Sequence, residues 1–157
     1  MRTREEIAND IMVSFAGMAA EEIFFSTVTT GPSSDLENAT RRAAAYVGLY
    51  GMDKKLTSLA VNVDPMKGGS PVQAVLSNKD GAEAVESMLQ RLHTATLALV
   101  KSNRSAIEVV AAALIDKGEI VGDEIHELLE SATSQRAVRT LDTEDEIADY
   151  IDSKVQR

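Results

Sequence analysis

Thr29–Thr40, TTGPSSDLENAT, decides how this chain is read. Gly31 can take a positive φ and Pro32 has a fixed one, so together they make a bend. From Leu36 onward the apolar residues Ala39, Ala43 and Ala44 recur at helical spacing. Ser34 and Glu37 stand at the capping-box spacing, which predicts Asp35 at the first helical position, where free amide groups and the helix dipole favour a carboxylate. The stretch is a shaped loop feeding a helix. On these residues alone, the ordinary role of an Asp in a first turn is to complement the dipole, and binding a metal is the rarer role.

Helical spacing continues on both sides. Thr3 and Glu6 form a second capping-box pair, and Ile7, Ile11, Phe15, Met18, Ala19 and Ile23 carry a first helix through Phe25. Glu21 and Glu22 near its end project about 100° apart, so they read as structural, with at least one of them solvated. The second helix is expected from about Asp35 to Leu49, with Gly51 as a left-handed cap. Leu56–Val63, LTSLAVNV, has the alternation of a short strand, and the Gly, Ser, Pro and Asn of residues 64–80 predict a mobile surface loop. Asp80 and Glu83 are expected to cap a third helix whose stripe is Val85, Met88, Leu89, Leu92, Ala95, Thr96, Leu99 and Val100. His93 lies beside that stripe as a boundary residue. Asn103 caps a fourth helix that stops at Gly118, and Ile125, Leu128 and Leu129 mark a fifth. Thr143 and Glu146 cap a last acidic helix bearing Ile147, Tyr150, Ile151 and Val155. The fold class is all-α, a bundle of five to six helices with at most one short strand. One domain covers residues 1–131, and residues 132–157 are a polar linker and an acidic helix.

Composition agrees with close-packed helices. Of 157 residues, 44% are hydrophobic and only 4% aromatic with no Trp, so the core must be built from Ala, Val, Leu, Ile and Met. The formal charge of −9, without a basic cluster, argues against nucleic-acid and anionic-membrane partners. The chain has no cysteine, which excludes disulfides, zinc fingers and thiol nucleophiles. No apolar run approaches the ~18 residues of a membrane span, so no membrane contact is expected from this segment.

Three blocks in order, AGMAAEEIFF (Ala16–Phe25), TTGPSSDLENAT and YGMDKKL (Tyr50–Leu56), resemble the peptidase domain of the FtsH family of ATP-dependent zinc metalloproteases. ALIDKGEI and GDEIHELLE resemble its C-terminal helices, so the likeness covers about Ile7–Ser131. The chain departs from the usual family pattern at Ala16, Gly17 and Met18, where Gly-Gly-Arg is common, and at Pro32 and Ser34, where a small residue and Asn are common. The resemblance implies that Asp35 is the third protein ligand of a Zn2+ ion. It also implies ATP bound by a module outside this chain, polypeptide substrates and a hexameric ring. The implied parent is membrane-anchored, with this domain in the bacterial cytoplasm or an organelle matrix.

A peptidase zinc of this kind needs two His at i and i+4 with a Glu between them as general base. No His-Glu-x-x-His occurs in the sequence, and His93 and His126 stand apart in LHTAT and HELLE. Neither is a candidate ligand, and no catalytic residue is assigned. The resemblance places the motif upstream of Met1, in a longer protease of which this chain is a C-terminal portion, and the chain alone is expected to be inactive. The alternative is a non-catalytic helical module for oligomerisation or interaction, descended from that domain.

Overall fold

A computed structural model describes residues 1–53, 56–61, 63 and 69–133. Thr3 starts the first helix as its spacing predicts. Its hydroxyl accepts from Glu6 N at 3.2 Å while its own N–H donates to Glu6 Oε2 at 2.7 Å, and α1 runs Arg4–Phe25. Ile7, Ile11, Met12, Phe15 and Ala19 form its buried stripe. Ser26 ends it in the left-handed conformation at φ 54°.

α2 spans Ser33–Gly48 and buries Ala39, Ala43, Ala44, Val47 and Gly48. A face of alanine lets a helix backbone approach its neighbours closely, because interaxial distance follows side-chain size. α2 therefore lies against both α1 and the helix of residues 79–102, and these three helices hold the core. α4, Lys79–Ser102, contributes Val85, Met88, Leu89, Leu92, Ala95, Thr96 and Val100. The buried Thr96 hydroxyl is satisfied within its own helix, donating to Leu92 O at 2.8 Å. α5, Arg104–Lys117, ends at Gly118 with φ 76°, and α6 is Gly122–Thr133. Ala106 is the one buried residue of α5, so α5 and α6 form a hairpin packed mainly on itself.

The architecture among the described residues is the all-α bundle expected, with six helices. Several local expectations are corrected. The described residues of 56–63 form turns, not a strand, because no neighbouring strand is there to pair with among the described residues. They fold back on the end of α2, where Leu59 N donates to Gly48 O at 3.0 Å and Ser58 Oγ lies 3.4 Å from the same carbonyl.

In the expected loop of residues 64–80, Pro71–Ser77 is a helix, α3, while residues 64–68 lie outside the described residues. Ser70 caps it by accepting from Gln73 N at 3.3 Å, and Pro71 fits the first turn, where its missing N–H costs nothing. α3 inserts Val75, fully buried, between α2 and α4. The next cap is Asn78, whose Oδ1 accepts from Gly81 N at 2.9 Å, so Asp80 lies in the first turn of α4. Asn103 stands at the start of α5 but turns its amide back to Leu99 O at 2.9 Å instead of capping α5. α2 stops at Gly48 with Leu49 as its cap; Gly51 does take φ 64°, two residues further on. Most of the expected linker and the last acidic helix fall at residues 134–157, outside the described residues.

Candidate metal-ligand loop

The connection between α1 and α2, residues 26–32, is exposed except for a half-buried Pro32. Apolar burial therefore does little to fix it, and its shape rests on hydrogen bonds. Glu21, in the last turns of α1, accepts two of them: its Oε2 from Thr29 N at 2.7 Å and its Oε1 from Thr29 Oγ1 at 2.9 Å. The Thr29 oxygen in turn accepts from Gly31 N at 3.1 Å. Ser33 N then donates to Thr30 O at 3.3 Å, and Leu36 N donates to Pro32 O at 2.9 Å, the first bond of α2.

Asp35 is thus the third residue of α2, not the first; Pro32 stands at the cap position, and no side chain caps this helix. Glu37 does not reach back to Ser34, because it pairs with Arg41 one turn ahead at 2.5 Å. Gly31 does not adopt a positive φ; among the described glycines that holds for Gly51 and Gly118. What Gly31 supplies is space, since a Cβ there would lie 3.2 Å from Thr29 Oγ1 and 3.9 Å from Glu21 Oε1. Asp35 is exposed, and its carboxylate makes no hydrogen bond or ion pair among the described residues.

The two carboxylates at the end of α1 are each engaged. Glu21 faces the loop, whereas Glu22 Oε1 lies 3.1 Å from His93 Nε2 on α4, at ion-pair distance but without hydrogen-bond alignment, so that buried nitrogen has no hydrogen-bond partner among the described residues. His93 also presents its ring edge to Phe15, with centroids 5.4 Å apart. The reading of His93 as a boundary residue stands, and both carboxylates, each partly exposed, have partners that the sequence did not announce. Arg104 closes the same end of the bundle, with its guanidinium 4.8 Å from the Phe24 ring centroid and 3.5 Å from Ile23 O. His126 belongs elsewhere, with Nδ1 3.0 Å from Gly122 O on α6.

Zinc fits these residues in part. Asp35 is a carboxylate without a competing partner among the described residues, at the start of a helix whose entry is held by directional bonds, which suits one hard oxygen ligand. Among the described residues, no group of three or more His, Cys, Asp or Glu could hold a metal ion. No described helix is long and apolar enough to cross a membrane.

Comparison with known proteins bears on the same stretch. The family model of Peptidase family M41 matches residues 1–128. The chain is 29% identical over 135 residues to the ATP-dependent zinc metalloprotease FtsH of Clostridium perfringens, covering 81% of this chain and 18% of that protein. It is 33% identical over 132 residues to FtsH 4 of Synechocystis, covering 79% and 21%, and 32% identical over 146 residues to FtsH of Streptobacillus moniliformis, covering 91% and 21%. The chain spans about a fifth of the length of these curated relatives. A match that takes in α1, the clasped loop, Asp35 and the helices up to α6 places the chain in peptidase family M41.

Proposed function

We propose that this chain is the C-terminal part of the peptidase domain of an ATP-dependent zinc metalloendopeptidase, and that Asp35 gives one oxygen to its zinc. The observation that carries the reading is the pairing of an exposed Asp35 carboxylate, partner-free among the described residues, with a loop held by hydrogen bonds among Glu21, Thr29 and Gly31. Membership of M41 and the names of the relatives support the chemistry. Bound zinc supplies Lewis acidity for peptide-bond hydrolysis. The part played by this chain is to hold a carboxylate at a fixed place on a rigid element, while the α1–α2–α4 core keeps that element from moving.

The two imidazole ligands and the general base come from an upstream His-Glu-x-x-His helix, so the chain by itself holds zinc weakly and hydrolyses nothing. In the parent, an ATPase module feeds unfolded or membrane-extracted polypeptides to a hexameric ring of these domains. A membrane anchor lies outside this segment, and the domain faces the bacterial cytoplasm or an organelle matrix.

Asp35→Ala in the parent protein tests the assignment. Loss of bound zinc and of casein degradation, with ATP hydrolysis retained, is the expected outcome. Full zinc content together with full proteolysis would remove Asp35 from the metal. Tight stoichiometric zinc binding and turnover by this chain alone would contradict the reliance on upstream ligands.

A further inference from the structure

We infer that Glu21 is a positioning residue for Asp35, acting through Thr29 and Gly31; the inference rests on the zinc-ligand reading above. Both oxygens of Glu21 are used on one residue, Thr29, through its N–H at 2.7 Å and its hydroxyl at 2.9 Å. With its own proton directed at Glu21, the Thr29 oxygen offers a lone pair to Gly31 N at 3.1 Å. The three groups form one chain of donors and acceptors that runs from the rigid end of α1 into the turn from which α2 starts. Each bond polarises the next, and an ionised acceptor strengthens the first two.

Nothing apolar replaces this clasp. Residues 26–31 are all exposed, and Val28 leaves about half of its surface in water at 49%. Gly31 completes the arrangement by keeping a side chain away from Thr29 Oγ1, which a Cβ would approach to 3.2 Å. Without the clasp the core-facing part of α2 keeps its packing, because Ala39, Ala43 and Ala44 remain buried. The first turn, which carries Asp35, is the part released. A metal ligand must be held within about half an ångström of its productive place, so freedom in that turn reads out as weaker metal binding.

The test uses two measurements. In this chain, Glu21→Ala should speed amide exchange of Thr29 and Gly31 by about tenfold or more, with the α4 core unchanged. In the parent protein, zinc affinity is measured by competition with a chelator. There, Glu21→Ala and Thr29→Val should each weaken zinc about tenfold, the lower end for loss of a partner that orients a ligand, whereas Thr29→Ser, which keeps the hydroxyl, should stay within about twofold. Unchanged exchange at Thr29 and Gly31 overturns the clasp. Accelerated exchange with unchanged zinc affinity in Glu21→Ala, while Asp35→Ala loses zinc, overturns the positioning role and leaves the ligand assignment standing. A large loss in Glu21→Ala with none in Thr29→Val also overturns it, and points to direct contact of Glu21 with the metal. Full zinc affinity in Asp35→Ala overturns both readings.

Discussion

Val75 occupies space that two glycines leave open, and this makes a prediction that separates the two sites. A Cβ on Gly48 would lie 2.2 Å from Val75 Cγ2 and 2.9 Å from its Cγ1, well inside the ~3.5–4.0 Å of an ordinary carbon contact. Val75 is fully buried between α2 and α4. Overpacking of this kind costs about 1–3 kcal/mol, against which an alanine in a helix returns at most about 1 kcal/mol, and less at the last residue of α2. Gly48→Ala should therefore lower stability by about 1–2 kcal/mol. Val75→Ala removes the two methyls at fault and is itself costly, by about 2 kcal/mol from lost transfer energy and the cavity. In combination the clash is gone, leaving only the Cβ of residue 75 at 3.2 Å, so the double variant should be no less stable than Val75→Ala alone. Gly81 behaves differently. Its Cβ would meet the backbone oxygen of Val75 at 2.5 Å, which no change of the Val75 side chain removes. Gly81→Ala should cost as much in the Val75→Ala background as in the unsubstituted chain. Urea unfolding at constant m reads these differences as midpoint shifts of roughly half to one molar. A midpoint for Gly48→Ala at or above that of the unsubstituted chain would refute the reasoning, as would equal coupling of Val75→Ala to both glycines.

Other outcomes follow from single contacts. Gly17 lies inside α1 with nothing within 4 Å of an added Cβ, so Gly17→Ala should raise stability by about 0.5–1 kcal/mol in the same urea assay. Thr3→Ala breaks the reciprocal cap of α1 and should cost about 1 kcal/mol, with faster amide exchange confined to the first turn. Lys117 and Glu124 join α5 to α6, and their hydrogen bond and charges hold Glu124 below its usual 4.5 and Lys117 above its usual 10.5. Glu124, being depressed, contributes fully above 4.5 and loses its contribution as pH falls through its lower folded value. Lys117, being raised, contributes fully below 10.5 and loses its contribution as pH rises through its higher folded value. NMR shifts of Ile125–Leu129 should therefore be flat between those limits and drift slightly outside them, and Lys117→Met should shrink the acid limb to the part that the Val121 N–H bond to Glu124 supports.

The helices that build the core are legible in the sequence because their stripes are long and regular. Ile7, Ile11, Phe15 and Ala19 on α1, and Val85, Met88, Leu92 and Ala95 on α4, repeat over several turns, and the Thr3–Glu6 box marks a start with two mutual bonds. α3 is not legible by periodicity, since one buried residue, Val75, makes no stripe in seven residues; its signal is the Ser70–Pro71 pair, a cap followed by a first-turn proline. LTSLAVNV has the residues of a strand, but a strand needs a partner, and here the Leu59 N–H and the Ser58 hydroxyl serve the terminal carbonyl of Gly48 instead. The bend-into-helix around Asp35 is legible from local residues, with its helical register off by two positions because Pro32 itself takes the cap place, whereas the ligand role proposed for Asp35 rests on block resemblance. The bond between Glu21 and Thr29 joins residues eight apart across a helix end, a spacing that belongs to no local motif, so no pattern in the sequence announces it.

The two ends of α2 are held by different physics, and that separation bears on the ligand role proposed for Asp35. At the Gly48 end, glycine lets α3 press Val75 against the backbone, so position is set by close packing that no added volume can enter without cost. At the Asp35 end, position is set by directional bonds in an exposed loop, where geometry is specific but burial is slight. Between them lie three fully buried alanines, a stretch stiff enough to transmit the axis of the helix and bound to α1 and α4 along its inner face. Changes at Gly48 should consequently lower global stability without altering the place of Asp35 in the molecules that remain folded. Changes at Glu21 should do the reverse, because sites separated by a packed helix and sharing no partner add nearly independently.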